Sequence, residues 1–99
     1  MKKLFAVLLM CSAVAAFAEP APAKYQKACF ACHEQGLAGA PKVHDAAAWQ
    51  PRLDKGMDAL LVSVKSGFNA MPPGGLCTDC TDDDYKMLIE FMSSPAPAN

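Results

Sequence analysis

Apolar side chains recur along the chain with helical spacing, and stretches rich in Gly, Pro and polar residues separate the runs. Tyr25, Ala28, Cys29 and Cys32 follow the i, i+3, i+4, i+7 pattern, predicting a helix over Lys24 to Ala31 whose inward stripe includes both cysteines. From His33 to Asp45 the Gly and Pro content predicts a loop. Asp45 is placed to cap a short helix through Ala46 to Trp49, which Pro51 is expected to end near Gln50. Met57, Leu60, Leu61 and Val64 predict a longer helix from Met57 to Lys65, stopped by Gly67. Phe68 to Cys80 holds too much Pro and Gly for a helix or central strand. Over Asp82 to Ser93, Tyr85, Leu88, Ile89 and Met92 share one face, Thr81 with Asp84 resembles a capping box, and three aspartates load the positive end of the helix dipole. Alternating strand patterns are absent, so the expected fold is all-α, with three or four helices joined by long loops.

The first 18 residues stand apart from this pattern. Lys2 and Lys3 precede an apolar run from Leu4 to Met10, and Ala16-Phe17-Ala18 has the small-x-small form of a cleavage site, so 1–18 reads as a signal peptide that is removed. A single domain over 19–99 is expected to remain, with flexible ends at 19–23 and 94–99. Without Lys2 and Lys3 the basic count falls from 9 to 7 against 10 acidic residues, a net formal charge of -3. That balance argues against a nucleic-acid binder. The apolar runs are too short, or too interrupted by charge, Gly and Pro, for a stable membrane span. Sequence alone leaves self-association undetermined.

Four cysteines lie in the exported part, as the pairs Cys29/Cys32 and Cys77/Cys80. Cys29-Phe30-Ala31-Cys32-His33 is a complete C-x-x-C-H, the haem c attachment signature. Two thiols one helical turn apart suit addition to the two vinyl groups of a haem, and the adjacent His33 supplies an imidazole for the iron. Met71 is the candidate second ligand, because Pro72 and Pro73 restrict its backbone to extended forms and stiffen the loop that aims its sulfur. His44 reads as a loop residue. The remote ring N–H of His33 needs an acceptor, and the loop turning at Pro41 is placed to bring a carbonyl near. Trp49 and Arg52 are candidate donors to the haem propionates. Cys77-Thr78-Asp79-Cys80 has no following histidine and reads most simply as a disulfide that clamps the loop after Met71. The rivals are a zinc- or disulfide-stapled binding module without haem, and a haem c enzyme or gas-binding protein with an open axial site.

The order C-x-x-C-H, G-A-P-K, a Trp-bearing short helix, G-M-D-A-L, M-P-P-G-G and C-T-D-C resembles the bacterial cytochrome c5 family, small single-haem members of the class I cytochromes c. The resemblance runs from about Tyr25 to Met92. It implies the class I fold around one covalent haem c, thioether bonds from Cys29 and Cys32, axial His33 and Met71, the Pro41 carbonyl on the His33 ring, and the extra Cys77–Cys80 disulfide. It also implies one-electron transfer in the periplasm, without enzymatic turnover, to redox partner proteins such as respiratory reductase or oxidase components. Family members often carry a Lys among the prolines and glycines of this loop; Met71 to Leu76 has none.

Overall fold

A computed structural model describes residues 22–96; the expected signal peptide lies outside them. Four helical segments follow in order. The first, α1, combines a π-helical stretch Tyr25–Cys29 with an α-helical turn Phe30–His33; then come α2 Ala46–Leu53, α3 Met57–Ser66 and α4 Asp82–Ser93. Short 3-10 turns occupy Leu37–Gly39 and Pro73–Leu76. The only strand-like pairing among the described residues is one isolated bridge between Phe68 and Met71. No helix among them is long and apolar enough to cross a membrane.

α1 starts earlier and runs further than its stripe predicts. Ala23 is already helical, Gln26 N–H bonds Pro22 O at 3.2 Å, and His33 lies inside the helix. Phe30 N–H reaches back to Tyr25 O, an i to i+5 bond that widens the turn immediately before the second cysteine. The prediction that Pro51 ends α2 near Gln50 also needs correction, since α2 continues to Leu53 with Pro51 inside it. Proline forfeits one N–H here, and the carbonyl that would receive it belongs to exposed Ala47, where water can serve. The Asp45 cap on Ala48 N–H at 3.2 Å and the burial of Trp49 hold the remainder.

α4 organises the core. Tyr85, Leu88, Ile89 and Met92 are all buried on one face, Leu88 at 1% exposure. Burial of a side chain such as Leu88 contributes about 1.5–3 kcal/mol. α4 packs on α3 and α2, and α3 also packs on the Pro73–Leu76 turn, which in turn meets the π-helical start of α1. Buried Tyr25, Ala28, Trp49, Val64 and Cys77 complete the cluster. Its Trp49, Val64, Ile89 and Met92 also line a cavity between α1, α2, α3 and the Met71 loop.

Candidate functional site: an imidazole and a thioether in one apolar cavity

His33, the last residue of α1, is 7% exposed. The chain then doubles back, with Val43 N–H donating to His33 O at 2.8 Å, and this return brings Pro41 O to 2.8 Å from His33 Nδ1. A carbonyl can only accept, so Nδ1 carries a proton, and in the neutral ring the lone pair falls on Nε2. Trp49 stacks beside the imidazole, ring centroids 5.8 Å apart and planes 25° apart. Its Nε1–H donates to Lys42 O at 2.9 Å. Neighbouring carbonyls of one loop thus fix both rings.

Met71 lies in a turn closed from both sides, Met71 N–H to Phe68 O at 2.8 Å and Phe68 N–H to Met71 O at 3.0 Å. Gly75 approaches it so closely that a Cβ there would stand 2.8 Å from Met71 Cε, and its φ of +58° is one that L side chains rarely adopt. Met71, His33 and Cys32 all line the cavity, together with Pro41, Trp49 and Arg52. Apolar Leu60, Val64, Ile89 and Met92 form its wall, and Arg52 and Lys55 are the charged side chains lining it. Lys55 Nζ sits 5.3 Å from the centre of the Phe68 ring at the same cavity.

Cys29 and Cys32 are free thiols, half-buried on α1. Burial, with a smaller effect of Cys32, pushes the Cys29 thiol up to about 11. A reactive thiol has the opposite shift, so Cys29 is not activated as a thiolate nucleophile. Cys77 and Cys80 form a disulfide with Cα atoms 5.6 Å apart. Joined sulfurs offer no thiolate pair, and the cluster Cys77, Asp79, Cys80 does not include Cys29 or Cys32, which removes the four-cysteine zinc arrangement. His44 is turned elsewhere: its N–H donates to Met92 O at 2.6 Å, its Nδ1 to Ser94 O at 2.8 Å, and its ring meets Phe91 edge-on.

Two sequence expectations take a different form. The indole N–H of Trp49 is already spent on Lys42 O, so it is not set up as a propionate donor. Arg52 lines the cavity, but its Nη1–H donates to Ala48 O at 2.6 Å, one of five donors on its guanidinium. By its spacing Tyr85 belongs to an apolar stripe; its hydroxyl in fact reaches Gly74 O and Cys77 O in the loop after Met71. Its phenolic O–H on a buried face, which must find a partner, was the available signal. An imidazole held through Nδ1, a soft thioether and an apolar wall are a donor set that fits a haem iron, and the free thiols on α1 fit its attachment.

Comparison with known proteins agrees. A family model described as "Cytochrome C oxidase, cbb3-type, subunit III" matches residues 16–92. Cytochrome c5 of Azotobacter vinelandii is 55% identical over 69 residues, 68% of this chain and 83% of that protein. The structure of a mono-haem ferrocytochrome c from Shewanella putrefaciens is 62% identical with a TM-score of 0.68, covering 82% of this chain and 100% of that one. A chain in the crystal structure of an electron transfer complex of nitrite reductase with cytochrome c is 42% identical with a TM-score of 0.64, covering 70% of this chain and 84% of that one. With its all-α fold and its C-x-x-C-H on α1, the chain belongs to the cytochrome c5 family of class I cytochromes c, one-electron carriers with a covalently bound haem c.

Proposed function

We propose that the chain holds one haem c through thioether bonds from Cys29 and Cys32, with His33 and Met71 as the iron's protein ligands, and carries single electrons in the periplasm. The observation that supports this best is the meeting of His33 and Met71 in one apolar cavity, with His33 Nδ1–H already committed to Pro41 O at 2.8 Å. Bound there, haem supplies a ferric/ferrous couple. Pro41 O keeps the imidazole in one tautomer and raises the basicity of Nε2. Leu60, Val64, Ile89 and Met92 exclude water and so favour the less charged redox state. Arg52 pairs with a propionate through its other N–H groups, and Trp49 orients the ligand ring by stacking. Two ligands that suit both oxidation states leave no open position for a substrate or gas, which makes this a carrier rather than an enzyme.

Respiratory reductases or oxidases are the partner class. The matched family model is described as an oxidase subunit, and one similar chain was solved with nitrite reductase. Contact runs through the uncharged segment Ala70 to Gly75, beside the cavity.

The deciding experiment is the absorption spectrum in both redox states of protein exported from a host that attaches haem c. A Soret band that survives acid-organic extraction and a mass of the processed chain plus one haem are expected; a colourless protein overturns the proposal. Met71→Ala should abolish the sulfur-to-iron charge-transfer band and lower the reduction potential, and an unchanged spectrum would reassign the ligand. Carbon monoxide binding to the native reduced protein would indicate an open site instead.

A further inference from the structure

We infer that Tyr85 is a positioning residue for Met71, bracing through its hydroxyl the turn on which the thioether rests; this builds on the ligand assignment proposed above. Tyr85 lies in the N-terminal part of α4 and is 8% exposed. Its Oη stands 3.2 Å from Gly74 O and 3.1 Å from Cys77 O. One O–H proton therefore serves both ends of a turn that Cys77 N–H to Gly74 O closes at 3.0 Å.

The path to the sulfur is short. A Cβ on Gly74 would stand 3.2 Å from Tyr85 Oη, and a Cβ on the next residue, Gly75, would stand 2.8 Å from Met71 Cε. The hydroxyl crowds one glycine of the turn and the thioether methyl crowds the next, with no free room for a Cβ at Gly75 and little at Gly74. The disulfide holds the far end of the same turn, since Cys77 is both a Tyr85 acceptor and a disulfide partner. Phenylalanine at this position would preserve the apolar face of α4 and lose the proton that ties the turn to the helix. The hydroxyl thus acts on the loop rather than on the core, and its loss should ease the departure of Met71 from the iron.

The test uses the oxidised, haem-loaded protein titrated with imidazole, which competes with the methionine sulfur, with loss of the sulfur-to-iron band as the readout. Tyr85→Phe should lower the imidazole concentration at half-loss about fivefold, the scale of one hydrogen bond. Gly74→Ala strains a φ of +75° and presses on the same hydroxyl; it should shift the midpoint in the same direction, and by more in the wild-type background than in Tyr85→Phe, where no hydroxyl is left to press on. Leu53→Ala trims a half-buried side chain of α2 that does not line the cavity; it should lower the denaturant midpoint and leave the imidazole midpoint unchanged. A wild-type imidazole midpoint in Tyr85→Phe, or an equal shift in Leu53→Ala, overturns the inference. Persistence of the band in Met71→Ala would overturn the ligand assignment itself, and is read independently of the other variants.

Discussion

His33 has two ring nitrogens with different obligations, and the loop that follows it satisfies one of them. Pro41 O takes the Nδ1 proton while the adjacent Lys42 O takes the indole N–H of Trp49, so two consecutive carbonyls hold a stacked pair of rings. Trp49→Phe would keep an aromatic face but leave Lys42 O without its donor. The expected cost in the haem-loaded protein is about 1–3 kcal/mol of unfolding free energy, measured by guanidinium denaturation; an unchanged midpoint would show that the indole N–H contributes nothing. C-x-x-C-H was legible because its chemistry needs only local spacing. The task of the indole was not, because it depends on a loop path that includes left-handed Ala38 and His44, at φ 54° and 65°, and an alanine gives no sign of that conformation.

Among the elements, the start of α4 was the most legible, since a capping box is written in adjacent residues. Asp84 N–H donates to Thr81 Oγ1 at 3.2 Å, and Thr81 N–H donates to Asp84 Oδ2 at 2.9 Å. The structure adds what adjacency cannot: Lys24 Nζ, from the beginning of α1, reaches the same Asp84 oxygen at 2.6 Å and Asp79 O at 3.1 Å. The Lys24 ammonium first, and then the Thr81 N–H, hold the Asp84 carboxyl down to about 2, and the hydrogen bond to Asp84 raises Lys24 in turn. A folded value below the unfolded one means that this contribution is complete above the ordinary carboxylate range, near pH 4, and disappears as pH falls toward about 2. Any stability advantage of wild type over Asp84→Asn at neutral pH should therefore shrink across that acid window. Exposure makes the advantage modest and sensitive to salt; a constant difference from neutral pH to pH 2 would contradict the assignment. The wide turn in α1 and the continuation of α2 through Pro51 were not legible. Both are small departures from the regular ladder that packing tolerates and periodicity cannot register.

For the molecule as a whole, charge is distributed unevenly. Asp82, Asp83 and Asp84 crowd the first turn of α4, whereas the charged residues lining the cavity are Arg52 and Lys55, and Ala70 to Gly75 carries no charge. If contact with a partner uses that uncharged segment, electron exchange with a soluble redox protein should depend only weakly on ionic strength, as stopped-flow rates would show. A steep fall with salt would place the contact on a charged face. The apolar stripes of α1, α3 and α4 were legible, but their closing with α2 and the Met71 loop around one cavity, and the support of that loop by Tyr85, were not, because both depend on the loop paths. The crowding of Gly75 against Met71 also limits how a lineage of such chains can drift. Selection that retunes the redox midpoint has no side chain to exchange at that position. With Met71 as the iron ligand proposed above, that leaves the cavity wall, at positions such as Val64 and Ile89, so diversification would accumulate around the thioether rather than within its immediate support.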